Sequence, residues 1–382
     1  MAMIENEITK PSKIVTIKVL GVGGAGGNTI NSIMTSGCDD VECISVNTDA
    51  QALELSRANK KIQIGIKSTK GFGAGANPEM GKRSAEEDLD KVLEAVDNAD
   101  IVFLTAGMGG GTGSGAVPII AHALQERNIL TIAVVTKPFT FEGKRRQKVA
   151  EEAISQLEAT VDTLIIIPNQ KLLDIVDQHV SMVDAFAMIN QVLSQSVRSI
   201  SDIITKPGHI NVDFADVRTI MKNQGVAVMG TGRASGATRA HEAALRAISS
   251  PLLENMSITG AKGVLFNISG GSSLSLYEIS QAASTVYEQA HEDANIIIGS
   301  AIDESLKDEV VVTIIVTGFN PARSNMTVTK QGSEKIHGSS RTESEKQIIP
   351  ARHGHFEETN VPHKSASTPA EFDIPTFIRE QK

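Results

Sequence analysis

Residues 107–115 read GMGGGTGSG, with five glycines among the seven residues from Gly109 to Gly115. The apolar run DIVFLTA at residues 100–106 precedes them and predicts a buried strand, and the helical pattern VPIIAHALQERN follows them. Glycine loses much backbone entropy on folding, so this segment indicates that the backbone approaches another group closely. A glycine-rich turn leading into a helix N-terminus directs several N–H donors to one point, which is typical of phosphate binding. A flexible loop is the alternative from this segment alone.

Length and composition predict a globular protein with two domains. The chain has 382 residues, of which 41% are hydrophobic and 21% charged, so it can bury a sizeable core. The formal net charge is −9, without a dominant basic patch, and only 3% of the residues are aromatic. This composition argues against nucleic acid as a partner, because such proteins use basic surfaces and stacking platforms. The two cysteines are too few for a disulfide framework or a zinc site.

The sequence contains no signal for secretion or membrane insertion. The first residues, MAMIENEITKPSK, are mixed in charge and have no apolar core, and no run of eighteen apolar residues follows. We therefore expect a cytoplasmic protein without direct membrane insertion, for which any membrane contact depends on a partner.

Strand-like and helix-like segments alternate from Ile14 onward. Apolar strand cores such as KIVTIKVL, VECISVN and TLIIIPN are each followed by a turn and a helical pattern, which predicts a parallel sheet covered by helices. Asn47, Thr105 and Asn169 are predicted to follow strand ends. Ligands of open α/β sheets bind at the carboxyl ends of the strands, so we expect a binding site there.

The second half of the chain has a different pattern of helix-like and strand-like segments. Residues 184–204 have helical apolar spacing over about six turns, which predicts a long central helix. Shorter helices and the strands GVLFNISGG, ANIIIGSAI and EVVVTIIVTGF predict a smaller α/β domain after it. Beyond Phe319 the chain is polar and rich in Ser, Thr and Pro, which predicts a disordered linker. The closing segment EFDIPTFIREQK regains apolar residues and is typical of a docking peptide.

The glycine motifs leave three classes of function open. GVGGAG at residues 21–26 follows a strand and fits the G-x-G-x-x-G pattern of an NAD-dependent oxidoreductase with a Rossmann fold. A second phosphate-type loop, GGGTGSG, and a third glycine-rich segment, KGFGAGANPE, favour a triphosphate that is held from two sides. A regulator that binds a small molecule without catalysis is the third class. The Walker pattern fails, because Arg83 occupies the position of the magnesium-binding Ser or Thr.

A resemblance to a known family extends from about Lys13 to Phe319. The segments GVGGAGGN, VNTDAQAL, GAGANPE, GMGGGTGSG, VTKPFTFEGKRR and NVDFADVRT resemble, in order, the loops of the tubulin/FtsZ GTPase family and of its bacterial cell-division members. Ala25 and Ser114 depart from the usual motif residues, and both retain a small side chain. The resemblance implies a tubulin-like fold: a Rossmann-type parallel-sheet GTPase domain, a long central helix, a smaller α/β domain and a disordered C-terminal tail.

The implied division of the chain has six parts. They are a flexible N-terminus (1–12), a GTP-binding domain (13–183), the central helix (184–205), a polymerisation and activation domain (206–319), a disordered linker (320–370) and a partner-binding peptide (371–382).

The resemblance also implies a nucleotide site for GTP or GDP. The residues expected to cradle the phosphates are Gly24, Ala25, Gly26, Gly27 and Asn28 on one side and Gly111, Thr112 and Gly113 on the other. In this interpretation, the glycines let the loop close over phosphate oxygens without side-chain clash. Ala74, Gly75 and Ala76 resemble the segment that senses the γ-phosphate. Asn47 and Asp49 are expected near the phosphates, where they hold Mg²⁺ through water or, alternatively, form a turn cap. No metal site made by protein ligands alone is expected.

The base, the ribose and the attacking water have their own implied residues. Asn169 and Asn190 resemble the guanine contacts, Phe186 the stacking ring, and Glu142 and Arg146 neighbours of the ribose and phosphates. Asn211, Asp213 and Asp216 resemble catalytic residues that enter the site of the next subunit, although locally Asp213 reads as a helix N-cap. The implied function is a GTPase whose head-to-tail filaments form the division ring at mid-cell. The implied partners are other copies of the chain and, through the terminal peptide, membrane-anchoring and regulatory division proteins.

Overall fold

The structure, a computed structural model, describes residues 15–38, 40–173, 180–206, 210, 212–253 and 260–318. The predicted N-terminal segment, the linker, the terminal peptide and Asn211 lie outside these described residues.

Six parallel strands form the N-terminal half of the sheet, in the order β3-β2-β1-β4-β5-β6. Their bounds are β1 (Ile17–Val22), β2 (Glu42–Asn47), β3 (Lys60–Gln63), β4 (Ile101–Gly107), β5 (Leu130–Lys137) and β6 (Thr163–Pro168). Successive strand residues face opposite sides, so Val19 and Phe103 belong to one core cluster while Leu20 and Leu104 belong to another. The sheet is therefore buried on both faces, as the apolar strand sequences predict.

Eight helices connect and cover these strands. Their bounds are α1 (Gly23–Thr35), α2 (Ala50–Glu54), α3 (Ile66–Thr69), α4 (Pro78–Glu87), α5 (Leu89–Ala95), α6 (Thr112–Glu126), α7 (Lys144–Glu158) and α8 (Asn169–Leu173). Helix α1 contributes Ile30 and Ile33 to the core on one face, and α6 contributes Val117 and Ile120 to the core on the other. Each crossover therefore leaves the sheet at a strand's carboxyl end and returns the chain to the amino end.

The long helix α9 (Met182–Thr205) connects opposite edges of this sheet. Near its start, the Phe186 ring contacts Phe139, which lies just after β5. At its end, the Thr205 hydroxyl lies 3.5 Å from a carboxylate oxygen of Asp40, just before β2. A helix of this length spans about 36 Å. It therefore carries the chain from the carboxyl edge of the sheet to the amino edge.

The C-terminal half continues the same sheet. Its elements are α10 (Phe214–Met221), β7 (Gly225–Ser235), α11 (Arg239–Ile248), β8 (Gly263–Gly270), α12 (Leu276–Tyr287), β9 (Asn295–Ile302) and β10 (Glu309–Thr317). Strand β7 pairs in parallel with the start of β6 and antiparallel with β10, which makes a ten-stranded sheet ending β7-β10-β8-β9. Helices α11 and α12 cover a third core cluster. Among the described residues, no helix combines the length and the apolar character that crossing a bilayer requires.

The predicted α/β fold class is confirmed, and three local expectations were incomplete. Strand β4 continues to Gly107, so Thr105 lies inside it rather than after its end. The apolar spacing of residues 274–290 predicts a long helix, and the observed α12 is shorter at both ends. Strand β7 was not predicted, because its glycines interrupt the apolar pattern. A Cβ at Gly232 would collide with the Ala243 carbonyl of α11, so close helix packing requires the glycine that hides the strand.

A partly buried ion pair connects the elements of the C-terminal half. Arg239 on α11 donates to both carboxylate oxygens of Glu278 on α12, at 2.7 and 3.3 Å, and to the Asp308 carbonyl at 3.0 Å. These donations from Arg239, together with donors from Ser275, lower the pKa of Glu278 from its usual 4.5 to about 2. The pair therefore stabilises the fold most while Glu278 is ionised.

We expect Arg239→Met to lower the free energy of unfolding by about 2–4 kcal/mol, because it leaves Glu278 without its main donor. The matched control is Arg233→Met, since Arg233 forms an exposed ion pair with Glu309 at 3.5 Å and should contribute about 0–1 kcal/mol.

Because folding lowers the pKa of Glu278, the contribution of this side chain to stability is complete above about pH 4.5 and is lost as the pH falls toward 2. Chemical denaturation of wild type and Glu278→Gln across this range should show the difference disappearing; a constant difference would contradict the assignment.

Candidate functional site

A cleft of about 450 Å³ lies at the carboxyl edge of the sheet. The segments that follow β1, β4, β5 and β6 line it together with the start of α9. This volume is in the range of small-molecule sites. Eleven of the residues predicted for the nucleotide site lie in the lining: Gly24, Ala25, Asn28, Gly111, Thr112, Gly113, Glu142, Arg146, Asn169, Phe186 and Asn190.

Two helix N-termini meet at one end of the cleft. Helix α1 begins at Gly23 and α6 begins at Thr112, and both residues line the cleft. Neither helix has an acidic residue in its first turn, so the unpaired N–H groups and the positive ends of both helix dipoles remain available to an anion. This end of the cleft has the chemistry of a phosphate site.

The glycines of the two loops have two different tasks. A Cβ at Gly111 would lie 2.8 Å from the Ala74 Cβ and the Asn77 nitrogen, and one at Gly113 would lie 2.7 Å from the Gly107 carbonyl oxygen. These glycines are therefore required by the protein's own backbone packing. A Cβ at Gly24 would meet no atom within 4 Å, so protein packing does not explain that glycine, which borders the cleft. The expectation that the glycines serve phosphate approach alone was thus too simple.

The remaining members of the first predicted loop lie behind the cleft. Gly26 is buried, and a Cβ there would lie 2.5 Å from the Thr105 carbonyl oxygen of β4. A Cβ at Gly27 would lie 3.6 Å from the Ser45 hydroxyl oxygen, which is an ordinary contact distance. Neither residue belongs to the lining: Gly26 is required for close packing of α1 on the sheet, whereas Gly27 has room for a Cβ.

Asn169, at the other end of the cleft, lacks a partner for a buried atom. It is 5% exposed, and its side-chain oxygen forms no hydrogen bond within the described part of the chain. A buried carbonyl oxygen without a donor is unfavourable by about 1–3 kcal/mol, so a ligand donor is expected to satisfy it. The edge of guanine carries such donors, including the N2 amino group.

An aromatic group borders the same end. The Phe186 ring is partly exposed and contacts Phe139 edge to face, with ring centroids 5.6 Å apart. Phe139 is buried and stacks on Phe141 at 4.9 Å. The orientation of Phe186 is therefore supported by packing, and its ring offers an apolar face to a planar base.

Glu142 and Arg146 form an ion pair on the wall of the cleft. Their side chains are 2.5 Å apart, and the second carboxylate oxygen of Glu142 accepts a hydrogen bond from the Phe139 N–H at 2.9 Å. The pair fixes the turn after β5. Arg146 is half-exposed and adds a positive charge beside the glycine loops.

The segment 74–76 and the end of β2 form a neighbouring wall rather than part of the lining. Ala74 is buried beside Gly111, while Gly75 is left-handed and a Cβ there would meet no atom within 4 Å. Ala76 adopts a positive φ of 56° without being glycine. Such a conformation is strained for a residue with a side chain and is typical of functional loops.

Asn47 and Asp49 belong to the same wall. Asn47 ends β2, and its side chain accepts a hydrogen bond from the Asp49 N–H at 3.2 Å. Asp49 caps α2 by accepting from Gln51 and Ala52 through one oxygen, Oδ1, which confirms the predicted turn cap. The described residues contain no cluster of three or more His, Cys, Asp or Glu side chains that could hold a metal ion alone.

Asp213 and Asp216 lie away from the cleft. Both are exposed at the start of α10, and Asp213 occupies the N-cap position without a side-chain hydrogen bond to the helix. The end of α10 is anchored at the amino edge of the sheet, where the Thr163 hydroxyl donates to the Met221 carbonyl. Strand β6 separates that edge from Asn169 by about 20 Å. The two carboxylates therefore do not reach the cleft of their own subunit.

Sequence reasoning missed several lining residues, including Met108, Thr136, Pro138 and Ile189. Thr136 is the penultimate residue of β5 and Pro138 follows the strand, so their position near a predicted strand end was an available signal. Ile189 lies one turn from Phe186 on α9, and its apolar side chain does not distinguish a cleft from a core.

Comparisons with known proteins cover both halves of the chain. The GTPase domain of the Tubulin/FtsZ family matches residues 16–177, and the C-terminal domain of the FtsZ family matches residues 225–320. An empty FtsZ dimer from M. jannaschii is 40% identical, with a TM-score of 0.78 over 84% of this chain and 95% of that one. A variant of FtsZ from M. jannaschii is 42% identical, with a TM-score of 0.77 over 80% and 91% of the two chains. CetZ2 from Haloferax volcanii, in a GTPγS-bound protofilament, shares the fold at 21% identity, with a TM-score of 0.68 over 80% and 94%.

We expect Gly24→Ala to weaken binding of a nucleotide di- or triphosphate by about tenfold, because the new methyl group borders the phosphate end of the cleft. Gly27→Ala is the matched control: it lies on the same helix, tolerates a Cβ and is outside the lining. Both substitutions favour the helix by up to about 1 kcal/mol, so lost stability would not explain weaker binding. Titration with a fluorescent nucleotide measures the effect, and equal affinities in the two variants would contradict the assignment of this end of the cleft.

Proposed function

The chain belongs to the tubulin/FtsZ family of GTPases, and from this premise we propose that it hydrolyses GTP in head-to-tail filaments that form the cell-division ring. The observation that carries the proposal is the cleft itself, in which two helix N-termini border one end and Asn169, whose side-chain oxygen has no partner within the described residues, lines the other. A guanine nucleotide carries phosphates at one end and the hydrogen-bond donors of its base at the other, so its two ends match the two ends of the cleft. Family membership also removes the support for an NAD-dependent oxidoreductase.

The proposed roles follow the chemistry of the lining. Gly24, Ala25, Asn28 and the Gly111–Gly113 turn bind the phosphates through N–H donors, aided by the Thr112 hydroxyl. Asn169 and Asn190 bind the guanine edge and Phe186 covers its face. Arg146, held by Glu142, supplies positive charge beside the ribose and phosphates. Gly26 supports this site through close packing of α1, and Gly27 lies next to it outside the lining.

Mg²⁺ fits the wall beside the phosphates. Because Asp49 uses only Oδ1 in its cap, its second oxygen can accept a hydrogen bond from a water of the ion, and Asn47 lies next to it. Mg²⁺ retains several waters and binds mainly to nucleotide phosphates, so no protein cage is needed. The bound ion would neutralise phosphate charge. Ala74, Gly75 and Ala76 are proposed to contact the γ-phosphate from the same wall.

Hydrolysis is proposed to require two subunits. Asp213 and Asp216 are exposed near the amino edge, whereas the cleft opens at the carboxyl edge. A second copy stacked head to tail brings these edges together, so its carboxylates, with Asn211, can position the attacking water. This arrangement makes the reaction depend on assembly.

The surface around the cleft is suited to such stacking. Three large apolar side chains near its mouth are more than half exposed: Phe141, Met182 and Val183. Phe141 stacks on Phe139 beside the cleft, and Met182 and Val183 begin the helix that carries Phe186. Exposed apolar groups in one region indicate an interaction surface.

Phosphate release measured with GTP and ATP over a range of protein concentrations tests the function. We expect release with GTP only and a specific rate that rises steeply with protein concentration, with light scattering appearing in parallel. An equal rate with ATP would contradict the guanine site, and a specific rate independent of dilution would contradict the shared site.

Mixing variants tests whether the carboxylates act across subunits. Asp213→Ala and Asp216→Ala should bind GTP normally and lose about 10²- to 10⁴-fold in turnover. Adding Gly24→Ala subunits, whose carboxylates are intact, should restore part of the turnover, because they complete the cleft of the neighbouring subunit. Asp90→Ala, which removes an exposed acidic residue from the first turn of α5, is the control and should retain full turnover. Failure of the mixture to exceed the separate rates would contradict action in trans.

The C-terminal peptide is proposed to recruit filaments through membrane-anchoring and regulatory division proteins at the cytoplasmic side of mid-cell. Residues 371–382 are the segment proposed to contact these partners, because they regain apolar side chains after the polar residues 320–370. Deleting 371–382 should leave GTP hydrolysis nearly unchanged and abolish recruitment to anchor-coated vesicles. Deleting residues 340–351 removes the same length from the linker and should retain recruitment; if both deletions behave alike, the peptide is not the attachment point.

A further inference from the structure

Thr48 lies directly behind the phosphate end of the cleft. It follows β2, is completely buried and does not belong to the lining. Its hydroxyl oxygen is 2.7 Å from the hydroxyl oxygen of Thr112, the first residue of α6, which does line the cleft. None of the proposed nucleotide contacts involves Thr48, although its neighbours Asn47 and Asp49 belong to the wall beside the phosphates.

The hydrogen bond between the two hydroxyls can run in either direction in the free protein. Each hydroxyl has a single proton, so only one of the two donates to the other. An anionic phosphate oxygen accepts hydrogen bonds and donates none. When the Thr112 hydroxyl donates a hydrogen bond to such an oxygen, it can only accept in its contact with Thr48. The Thr48 hydroxyl must then be the donor. Binding therefore selects one direction, and successive bonds in one direction strengthen each other.

The backbone of Thr48 is tied to the neighbouring wall. Its carbonyl oxygen lies 3.3 Å from the Thr69 hydroxyl, whose single proton is shared with the nearer Gly65 carbonyl at 2.9 Å, and the same hydroxyl accepts from the Gly71 N–H at 3.3 Å. Gly71 in turn accepts a hydrogen bond from the Ala50 N–H. The turn that leads to residues 74–76 is thus connected through Thr48 to the first residue of α6.

We propose that Thr48 is a positioning residue for the phosphates: its buried hydroxyl donates to Thr112 and directs the Thr112 proton into the cleft, while its carbonyl holds the 69–77 segment beside the same phosphates. The inference rests on the proposed guanine nucleotide site and adds a residue that acts on the ligand only through Thr112. The 2.7 Å contact, the complete burial of Thr48 and the position of Thr112 in the lining carry it.

Packing alone would give the opposite ranking of two substitutions. Thr48→Val keeps the shape and removes the hydroxyl, whereas Thr48→Ser keeps the hydroxyl and removes a methyl group. If Thr48 only fills space, Val retains stability and nucleotide affinity, and Ser loses stability. If Thr48 positions Thr112, Thr48→Val lowers nucleotide affinity by about tenfold, as expected for a hydrogen bond that supports a charged acceptor, while Thr48→Ser stays within about twofold of wild type.

Binding of fluorescent GDP and GTP to the full-length chain at concentrations below assembly provides the measurement, with thermal unfolding recorded for each variant. Thr131→Val is the matched control, because Thr131 is also fully buried and its hydroxyl bonds to the Ile129 carbonyl, at the amino edge of the sheet. It should leave affinity unchanged. Thr48→Ala removes the same hydroxyl without replacing its volume by an apolar group, so it provides the test if Thr48→Val does not fold.

A double-mutant cycle identifies the route of the effect. Thr112→Val should itself weaken binding, and adding Thr48→Val to it should cause no further loss, because Thr48 acts through Thr112. Independent, multiplying losses would overturn the proposal, as would wild-type affinity in Thr48→Val. If the wild-type chain binds neither GDP nor GTP, the proposed function itself fails; if wild type binds and the Thr48 variants bind equally well, only the role of Thr48 fails.

Discussion

The parallel direction of the first six strands is the constraint on which the rest of the structure depends. Because every strand from β1 to β6 points the same way, each following turn emerges at one edge of the sheet. Two of these turns lead directly into helices, α1 and α6, whose N-termini then converge on one cleft. The anion-binding character of the site is thus a consequence of strand direction and crossover connections, to which the side chains add selectivity.

Helix α9 runs from the carboxyl edge of the sheet to the amino edge. Its first turns supply Phe186 and Asn190 to the cleft, and its end lies beside Asp40 at the amino edge. Asp213 and Asp216 follow it and are anchored through α10 to that same edge. A single helix therefore separates the nucleotide residues from the acidic residues by roughly the length of a strand, about 20 Å. This separation explains physically why one subunit is expected to need another for turnover.

The glycine-rich loops illustrate how close packing and ligand binding share one sequence feature. Gly111 and Gly113 are required because protein backbone and side-chain atoms approach them within a distance that excludes a Cβ. Gly24 is free of such neighbours and borders the cleft. Close packing behind the cleft therefore fixes the glycine-rich loops, including the residues that border the cleft. The hydrogen bond between the Thr48 and Thr112 hydroxyls joins the turn after β2 to the second of these loops.

The sequence by itself determined the α/β class, the parallel first half and the long central helix, because strand and helix periodicities are local. Eleven of the lining residues were predicted through the resemblance of its loops to those of a known family, whereas strand order alone indicated only a site at the carboxyl edge. Tertiary structure decided the rest. Strand β7 became a strand despite Gly230 and Gly232 because it joins β6 to β10 and packs closely on α11. The contact between Thr48 and Thr112 joins residues that are 64 positions apart in the sequence. The side-chain oxygen of Asn169 is unpaired among the described residues because folding buries it away from water and from other donors. No local pattern encodes such distances, since only the folded backbone brings distant segments together and removes water from between them.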